Sequence, residues 1–365
     1  MPYDTTEPRL RIAAWPATGG NPYQDLLYGA MRRHHAVVDD FSIGAPPDRA
    51  PDIVHVHWPE AFMWDGRTPV QRMKGARWTL QALRTLHRRG SRVVWTCHNE
   101  KPHDLHGADM LTWTVFERMF QAQLSGAIFM TEASRQHMLH RSPLLRRLPT
   151  TVIPHGHYQD WYGSPVGQVT ARQRLGLPAD RYIYLFFGRI RPYKNIDALT
   201  TLIGPTVAAD ESAHIVIAGK PATPALETSL AALAEMPNIT LRLGFVPDEE
   251  VRDLMCASDA VVLPYPVFNS GVALLAASYG RPFVTPDTAP VRETAGLLGA
   301  GNAHLFDGPL TPHTLAEARA RFQGRDSGPD LTAFSWDRIG RATMDFMEAA
   351  MGRRTTTPEH TSKQD

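Results

Sequence analysis

The chain has 365 residues, 43% of them hydrophobic, and a formal net charge of +1. That length exceeds one ordinary core and predicts two domains. The near-neutral balance gives no bulk-charge case for a nucleic-acid partner, and no apolar run approaches the length of a membrane span.

The first residues are polar, charged and proline-bearing, with no apolar leader core, so a cytoplasmic protein is expected. Residues 10–15 read as a first strand, Gly19-Gly20 as the turn after it, and 23–34 as a helix. Residues 52–58 read as another strand. Its alternation puts His55 and His57 on one face, with His57 nearer the carboxyl end. There His55 is expected to be packed, and His57 and Glu60 to reach a cleft. Trp58, Phe62 and Trp64 cluster just beyond and suit either a core or an acceptor platform.

From Gly66 to Asn99 the chain has no acidic residue but carries Arg67, Arg72, Lys74, Arg77, Arg84, Arg88, Arg89 and Arg92. Leu80, Leu83 and Leu86, with Trp78, add an apolar component at helical spacing. Such a helix is either a solvated face or a surface for an anionic membrane or acceptor. Residues 92–96 form a strand that runs into Cys97, His98, Asn99, Glu100, His103 and Asp104. The spacing fits no standard zinc pattern. His103 and Asp104 suit either a tuned base for a hydroxyl or a helix cap. Cys97 and Cys256 both lie in apolar contexts, without a CxxC pattern, and read as buried thiols of a reducing compartment.

A strand at 126–130 leads to Thr131 as a helix cap. Pro154-His155-Gly156 reads as a hinge, and residues 157–178 as a linker. The run Tyr182–Phe187 is apolar and β-rich, so it reads as a buried strand. It ends at Gly188; Arg189 and Lys194 follow, and a helical pattern begins near Asn195. Two cations at a strand's carboxyl end beside a helix start suit a diphosphate. Residues 214–218 end similarly at Gly219-Lys220. Ile239–Leu243 is followed by Gly244-Phe245-Val246-Pro247, and Asp248 is expected to cap the next helix. Residues 259–263 lead into Pro264-Tyr265 and the turn Asn269-Ser270-Gly271. The helix after that turn offers its amides and dipole to a phosphate, and the Ser270 hydroxyl can add a hydrogen bond. A helix over 334–352 and a polar, disordered tail over 353–365 close the chain.

Four motifs, spread over nearly the whole chain, carry a resemblance: Gly188-Arg189-x(4)-Lys194, the Ser270-Gly271 turn before Gly280-Arg281-Pro282, Thr96-x-His98-Asn99, and Ile153-Pro154-His155-Gly156. Together they resemble GT-B glycosyltransferases of the family-4-like group. The resemblance implies an α/β fold of two Rossmann-like domains with parallel sheets facing across a cleft. It implies an acceptor domain at 1–156, a nucleotide-sugar domain at 179–333, and a final helix packed back on the first domain. The implied reaction is transfer of a sugar from a UDP- or GDP-linked donor to a glycan or glycolipid hydroxyl, without metal or other cofactor. The implied partners are that donor and acceptor, with peripheral membrane contact through 67–92 and no nucleic acid.

By the same resemblance Gly19, Gly20, Arg189, Lys194, Lys220, Val246, Ser270 and Gly271 face the nucleotide, and His98 faces the sugar. Retaining relatives carry two glutamates eight positions apart; here the corresponding positions are near Val267 and Leu275. That departure points to an inverting branch of the β-mannosyltransferase type. Inversion needs a base on the acceptor hydroxyl, and His57, Glu60, His103 and Asp104 are the candidates. A GT-B epimerase and a non-catalytic partner subunit remain open. A nicotinamide dehydrogenase would need a GxGxxG that the first turn lacks.

Overall fold

Apolar runs become the central strands of two parallel sheets, and two of those in the second sheet end at Gly188 and Gly219. The computed structural model describes residues 8–16, 21–42, 47, 49–63, 68–102, 105, 107–299, 301–323, 325 and 328–352. Gly19, Gly20, His103, Asp104 and the 353–365 tail lie outside them. The strands are β1 (Leu10–Trp15), β2 (Ala36–Asp40), β3 (Ile53–Val56), β4 (Arg92–Cys97), β5 (Gly126–Phe129), β6 (Thr150–Val152), β7 (Tyr182–Phe187), β8 (Ala213–Gly219), β9 (Ile239–Leu243), β10 (Ala260–Val262), β11 (Phe283–Pro286) and β12 (Ala303–Phe306). Helices α1 (Pro22–Arg33), α2 (Pro69–Arg88), α3 (Ala108–Gln121) and α4 (Glu132–Arg141) belong to the first half. Then come α5 (Gln159–Tyr162), α6 (Gln168–Leu175), α7 (Ile196–Ala209), α8 (Pro224–Ala231), α9 (Asp248–Ala257), α10 (Gly271–Ser278), α11 (Ala289–Leu298), α12 (Pro312–Gln323) and α13 (Trp336–Ala350).

The chain divides into two units. The first comprises the described residues within Met1–Met130, Arg135–Ile153 and Trp336–Asp365; the second comprises Thr131–Ser134 and Pro154–Ser335. The first sheet runs β2-β1-β3-β4-β5-β6 and the second β12-β11-β10-β7-β8-β9, all parallel. This is the doubly wound α/β expectation, twice over. Residues 157–178, expected to be a linker, instead hold α5 and α6 within the second unit. There Arg172, on α6, is buried and pairs with Asp259 at 2.7 Å.

In the first unit α13 lies on α1. Gly340 makes the approach close: a Cβ there would sit 2.8 Å from the Cβ of Ala30. Arg9 anchors the same helix, contacting Glu348 at 2.6 Å and Asp345 at 2.7 Å. The start of α2 is fixed by a reciprocal cap: Thr68 accepts from the Gln71 amide, and the Gln71 side chain accepts from the Thr68 amide. Leu80, Leu83 and Leu86 face the core, but Trp78 is 61% exposed and does not share their face. Phe62 is core, its ring centre 4.3 Å from that of Phe116 in a tilted arrangement. Thr131 and Ser134 cap α4 reciprocally. The cap of α9 is Pro247 rather than Asp248, whose carboxylate accepts from Trp161 Nε1.

Candidate active site

In the second unit the carboxyl ends of neighbouring strands are tied together by their own backbones. Ile190 donates to the Lys220 carbonyl at 3.0 Å, Ala222 to the Ile190 carbonyl at 2.8 Å, and Gly244 to the Gly219 carbonyl at 3.1 Å. Gly188, Gly219 and Gly244, each just at or past a strand end, have φ of +107°, +143° and +128°. L side chains rarely adopt those values. A Cβ on Gly219 would lie 2.0 Å from the Gly188 carbonyl oxygen, whereas one on Gly244 would meet nothing within 4 Å. Gly219→Ala is therefore expected to cost about 3 kcal/mol or more, and Gly244→Ala nearer 1 kcal/mol. Urea unfolding of both variants checks this, and equal costs would remove the close approach as the cause.

Lys194 folds back under this loop and is 7% exposed. Its Nζ lies 5.3 Å from the ring centre of Tyr265, and a Cβ on Gly188 would sit 3.3 Å from it. Among the described residues no carboxylate pairs with it. Burial, helped by Arg191, lowers its pKa to about 8. The same Gly188 position lies 3.8 Å from Val272, so the loop abuts the start of α10. Ser270 caps that helix, accepting from the Ala273 amide at 3.1 Å. Its hydroxyl proton is left to donate. Tyr158 and His155 close the other side: a Cβ on Gly271 would meet Tyr158 Oη at 2.8 Å and His155 Nε2 at 3.8 Å. Asn195 Nδ2 donates to the Pro264 carbonyl at 3.1 Å, joining the β7 and β10 loops.

Lys194, Gly188 and the Ser270-Gly271 helix start thus converge on one place, while Arg189 and Lys220 are exposed on the adjoining loops. Val246 is half-buried one loop further on, beside Phe245, which is 84% exposed. A buried ammonium beside a helix N-terminus has the chemistry that suits an anion. Tyr158 and Tyr265 were not legible in the sequence, because aromatic residues near strand ends read equally well as core.

In the first unit β3 and β4 bring His57, Glu60 and His98 together. They line one small pocket with Trp58, Trp95, Asn99 and Trp113. Its room of about 10 Å³ suits a single oxygen atom. His98 stacks on Trp58 at 4.6 Å and meets Tyr23 edge-on at 4.7 Å. The expected cleft position does not hold for His57. It is 1% exposed, and both ring nitrogens are engaged, Nε2 with Tyr28 Oη at 2.7 Å and Nδ1 with His98 Nε2 at 3.0 Å. Burial holds its pKa well below the usual histidine value, so with both nitrogens engaged it is poorly suited to take a proton from a substrate hydroxyl.

Glu60 is different. It is part-buried, and burial raises its pKa to about 7 against an opposing backbone hydrogen bond. Trp95 and Trp113, in the same pocket, are 3% exposed, and their indole nitrogens have no hydrogen-bond partner among the described residues. A carboxyl titrating near neutrality and two unused donors suit an exchangeable hydroxyl. Cys97 is buried and its thiol donates to the Asn99 carbonyl at 3.3 Å.

Comparison with known proteins bears on this geometry. Residues 181–321 match the family described as glycosyl transferases group 1. The chain is 30% identical over 349 residues to a GDP-mannose:glycolipid 4-beta-D-mannosyltransferase of Xanthomonas campestris pv. campestris, covering 93% of this chain and 91% of that one. It is 32% identical over 207 residues to a D-inositol 3-phosphate glycosyltransferase of Salinispora tropica, which covers 52% of this chain and 42% of that one. Among solved structures it resembles the sucrose-phosphate synthase of Thermosynechococcus elongatus, with a TM-score of 0.63 at 16% identity over 94% of this chain and 95% of that one. It also resembles Anabaena HepE in complex with UDP-glucose, with a TM-score of 0.60 at 17% identity over 94% of this chain and 98% of that one. Those likenesses are of fold, and the fold is GT-B.

Proposed function

The chain belongs to the glycosyltransferases of group 1 and moves a hexose from a nucleotide diphosphate sugar to an acceptor hydroxyl; from that premise we propose a GDP-linked donor of the mannose type, a glycolipid acceptor, and inversion at the anomeric carbon. The observation that carries the donor site is Lys194, a buried ammonium that pairs with no carboxylate among the described residues and lies under the loop that abuts the start of α10. A diphosphate there supplies the missing counter-charge. Lys194, the α10 amides and Ser270 then hold the leaving group as negative charge grows on it, with Arg189 at the exposed edge. Arg189 and Lys220 adapt to the donor; Gly271 offers the first amide of α10, and its lack of a Cβ leaves room for Tyr158 Oη. The Gly244–Val246 loop, with exposed Phe245, is proposed for the base. His98 is proposed to touch the sugar.

Inversion is a single displacement. It needs a base for the acceptor hydroxyl and no carboxylate nucleophile. Val267 and Leu275, where retaining relatives hold glutamates, are both buried and apolar, which supports this course. Glu60 is the proposed base, with the Trp95 and Trp113 indoles available to hold the acceptor oxygen. The test is a thermal-shift series with GDP, UDP, dTDP and their hexose conjugates, followed by product analysis with a lipid-linked acceptor. GDP and GDP-mannose are expected to raise the melting temperature by linkage. Stabilisation by UDP alone would overturn the donor, and no response to any nucleotide would overturn the diphosphate site.

The glycolipid half of the reading has a surface to go with it. Between α2 and α3 runs a groove of about 770 Å³, with Met73, Leu80, Leu111, Val115 and Met119 on its apolar side and Arg77, Arg84 and Arg88 along it. Leu111 and Val115 within it are 68% and 53% exposed. Exposed aliphatic side chains flanked by arginines complement an anionic leaflet. Among the described residues no helix is long and apolar enough to cross a membrane, so contact through this face is peripheral. Charge reversal at Arg84 and Arg88 is expected to lower partition onto phosphatidylglycerol-containing vesicles by about tenfold or more, at roughly 1 kcal/mol per cation. Co-sedimentation reads this out, and equal binding to neutral vesicles would sink the proposal.

A further inference from the structure

Behind His98 an unbroken run of side-chain hydrogen bonds crosses the core of the first unit. Thr96 Oγ1 lies 2.8 Å from His55 Nε2. His55 Nδ1 lies 3.0 Å from Tyr28 Oη. Tyr28 Oη lies 2.7 Å from His57 Nε2, and His57 Nδ1 lies 3.0 Å from His98 Nε2. Three elements supply the run: Tyr28 from α1, His55 at β3 with His57 just after it, and Thr96 at β4 with His98 just after it. Every member but His98 is at most 1% exposed, and His98 is 9% exposed. Burial holds His55 and His57 neutral, the former with its pKa down to about 3.

A neutral imidazole carries one N–H and one lone pair, and a phenol carries one proton. Tyr28 therefore donates to one of its two histidines and accepts from the other. If it donates to His57 Nε2, His57 carries its proton on Nδ1 and gives that bond to His98 Nε2. His98 is then protonated on Nδ1, and so is His55, which must donate to Tyr28. If Tyr28 instead donates to His55 Nδ1, every bond reverses and all three histidines carry the proton on Nε2. A mixed set would set like groups face to face at a buried joint or, with Tyr28 accepting from both rings, leave its buried hydroxyl proton outside the run. The Thr96 hydroxyl rotates to suit either direction. Ring flips of His98 are opposed by the Trp58 stack and the Tyr23 edge contact.

We propose that Tyr28 is a positioning residue for the reaction: bonded to both His55 and His57, and through His57 to His98, it locks the three histidines into one shared tautomer, so that the proton or lone pair at His98 Nδ1 is set together with the other two rings. The functional consequence rests on the reading of His98 as the sugar-facing group. The lock itself rests only on the four distances. The two forms of His98 do different chemistry. An Nδ1 proton donates to a sugar hydroxyl; an Nδ1 lone pair accepts from one. A uniform tautomer in every molecule gives one productive state rather than a mixture.

The test is long-range ¹⁵N–¹H correlation spectroscopy of the histidine side chains in the full chain at pH 7. The wild type is expected to show His55, His57 and His98 as neutral rings of the same tautomer. Different tautomers among the three, or a doubly protonated ring, would overturn the lock, and this arm needs no variant to fold. In Tyr28→Phe, with the ring retained and a melting curve to confirm folding, His57 and His98 are expected to become tautomer mixtures. The transfer kcat is expected to fall about tenfold while the donor KM stays within twofold. A merely structural Tyr28 would lower the melting temperature but leave the His98 tautomer and kcat unchanged, and that result overturns the proposal. A shared tautomer with full activity in His98→Ala would overturn the sugar-facing reading of His98 and not the lock.

Discussion

Lys194→Met is expected to weaken GDP-sugar binding by at least tenfold and to lower kcat/KM by about 10²–10³-fold, while leaving the unliganded protein as stable as before or more so. The two halves of that result have one cause. The ammonium is 7% exposed and no described carboxylate pairs with it, so the empty protein carries its desolvation uncompensated. Its folded pKa of about 8 lies below the unfolded lysine value of about 10.4. Between those values the unfolded chain binds more protons, so stability rises with pH across that window, and below pH 8 the penalty is fully present. The shift corresponds to about 3 kcal/mol, which methionine of similar shape removes. Donor binding has the opposite slope. The bound diphosphate requires the ammonium, so its dissociation constant should rise about tenfold per pH unit above 8. Isothermal titration from pH 7 to 10 and melting curves of both proteins make the comparison. A variant that loses stability and keeps its donor affinity would mean that Lys194 is a structural lysine.

How much of this was legible without coordinates follows from where each signal resides. The central strands β7 and β8 are continuous apolar runs because a parallel sheet is covered on both faces, and a glycine at each end marks where the chain turns toward ligand. Arg189, Lys194 and Ser270 could therefore be placed at strand ends from local pattern alone. The edge strands β2 and β12 went unseen: Ala36–Asp40 has two charged residues and Ala303–Phe306 is four residues long, so neither has the period of a buried strand. The helices within 157–178 were hidden by glycines and prolines that cap them rather than break them, as Gly176 does at φ +62°. The burial of Lys194 was not legible, because its cover, Tyr265, arrives from a loop after another strand. The histidine run was only half legible. Alternation puts His55 and His57 on one face, but Tyr28, the group that joins them, sits at a helix position where a tyrosine reads as core.

Glu60→Gln is expected to lower kcat/KM by about 10²–10⁴-fold and to erase the acid limb of its pH profile. The base that removes the acceptor proton must be ionised, and in the free enzyme Glu60 ionises near pH 7 because burial disfavours its charge. The wild-type profile should therefore climb tenfold per pH unit up to about 7 and then level. Glutamine keeps the shape and the hydrogen-bonding edge but cannot accept the proton. Stability moves the other way. The folded pKa is raised above the unfolded value of about 4.3, so the folded state binds more protons between the two, and stability falls as pH rises from there to 7. Above pH 7 the glutamine variant should be the more stable protein, by up to about 3 kcal/mol. His57 offers a built-in control: with both nitrogens engaged and its charge suppressed by burial, it cannot supply a limb near neutrality. If Glu60→Gln retains both its rate and a limb at pH 7, the acceptor proton leaves by another group. If the rate falls but the limb stays, Glu60 holds the acceptor without taking its proton. Only loss of both, with the gain in stability above pH 7, identifies a carboxylate kept in a costly state because the transfer uses it.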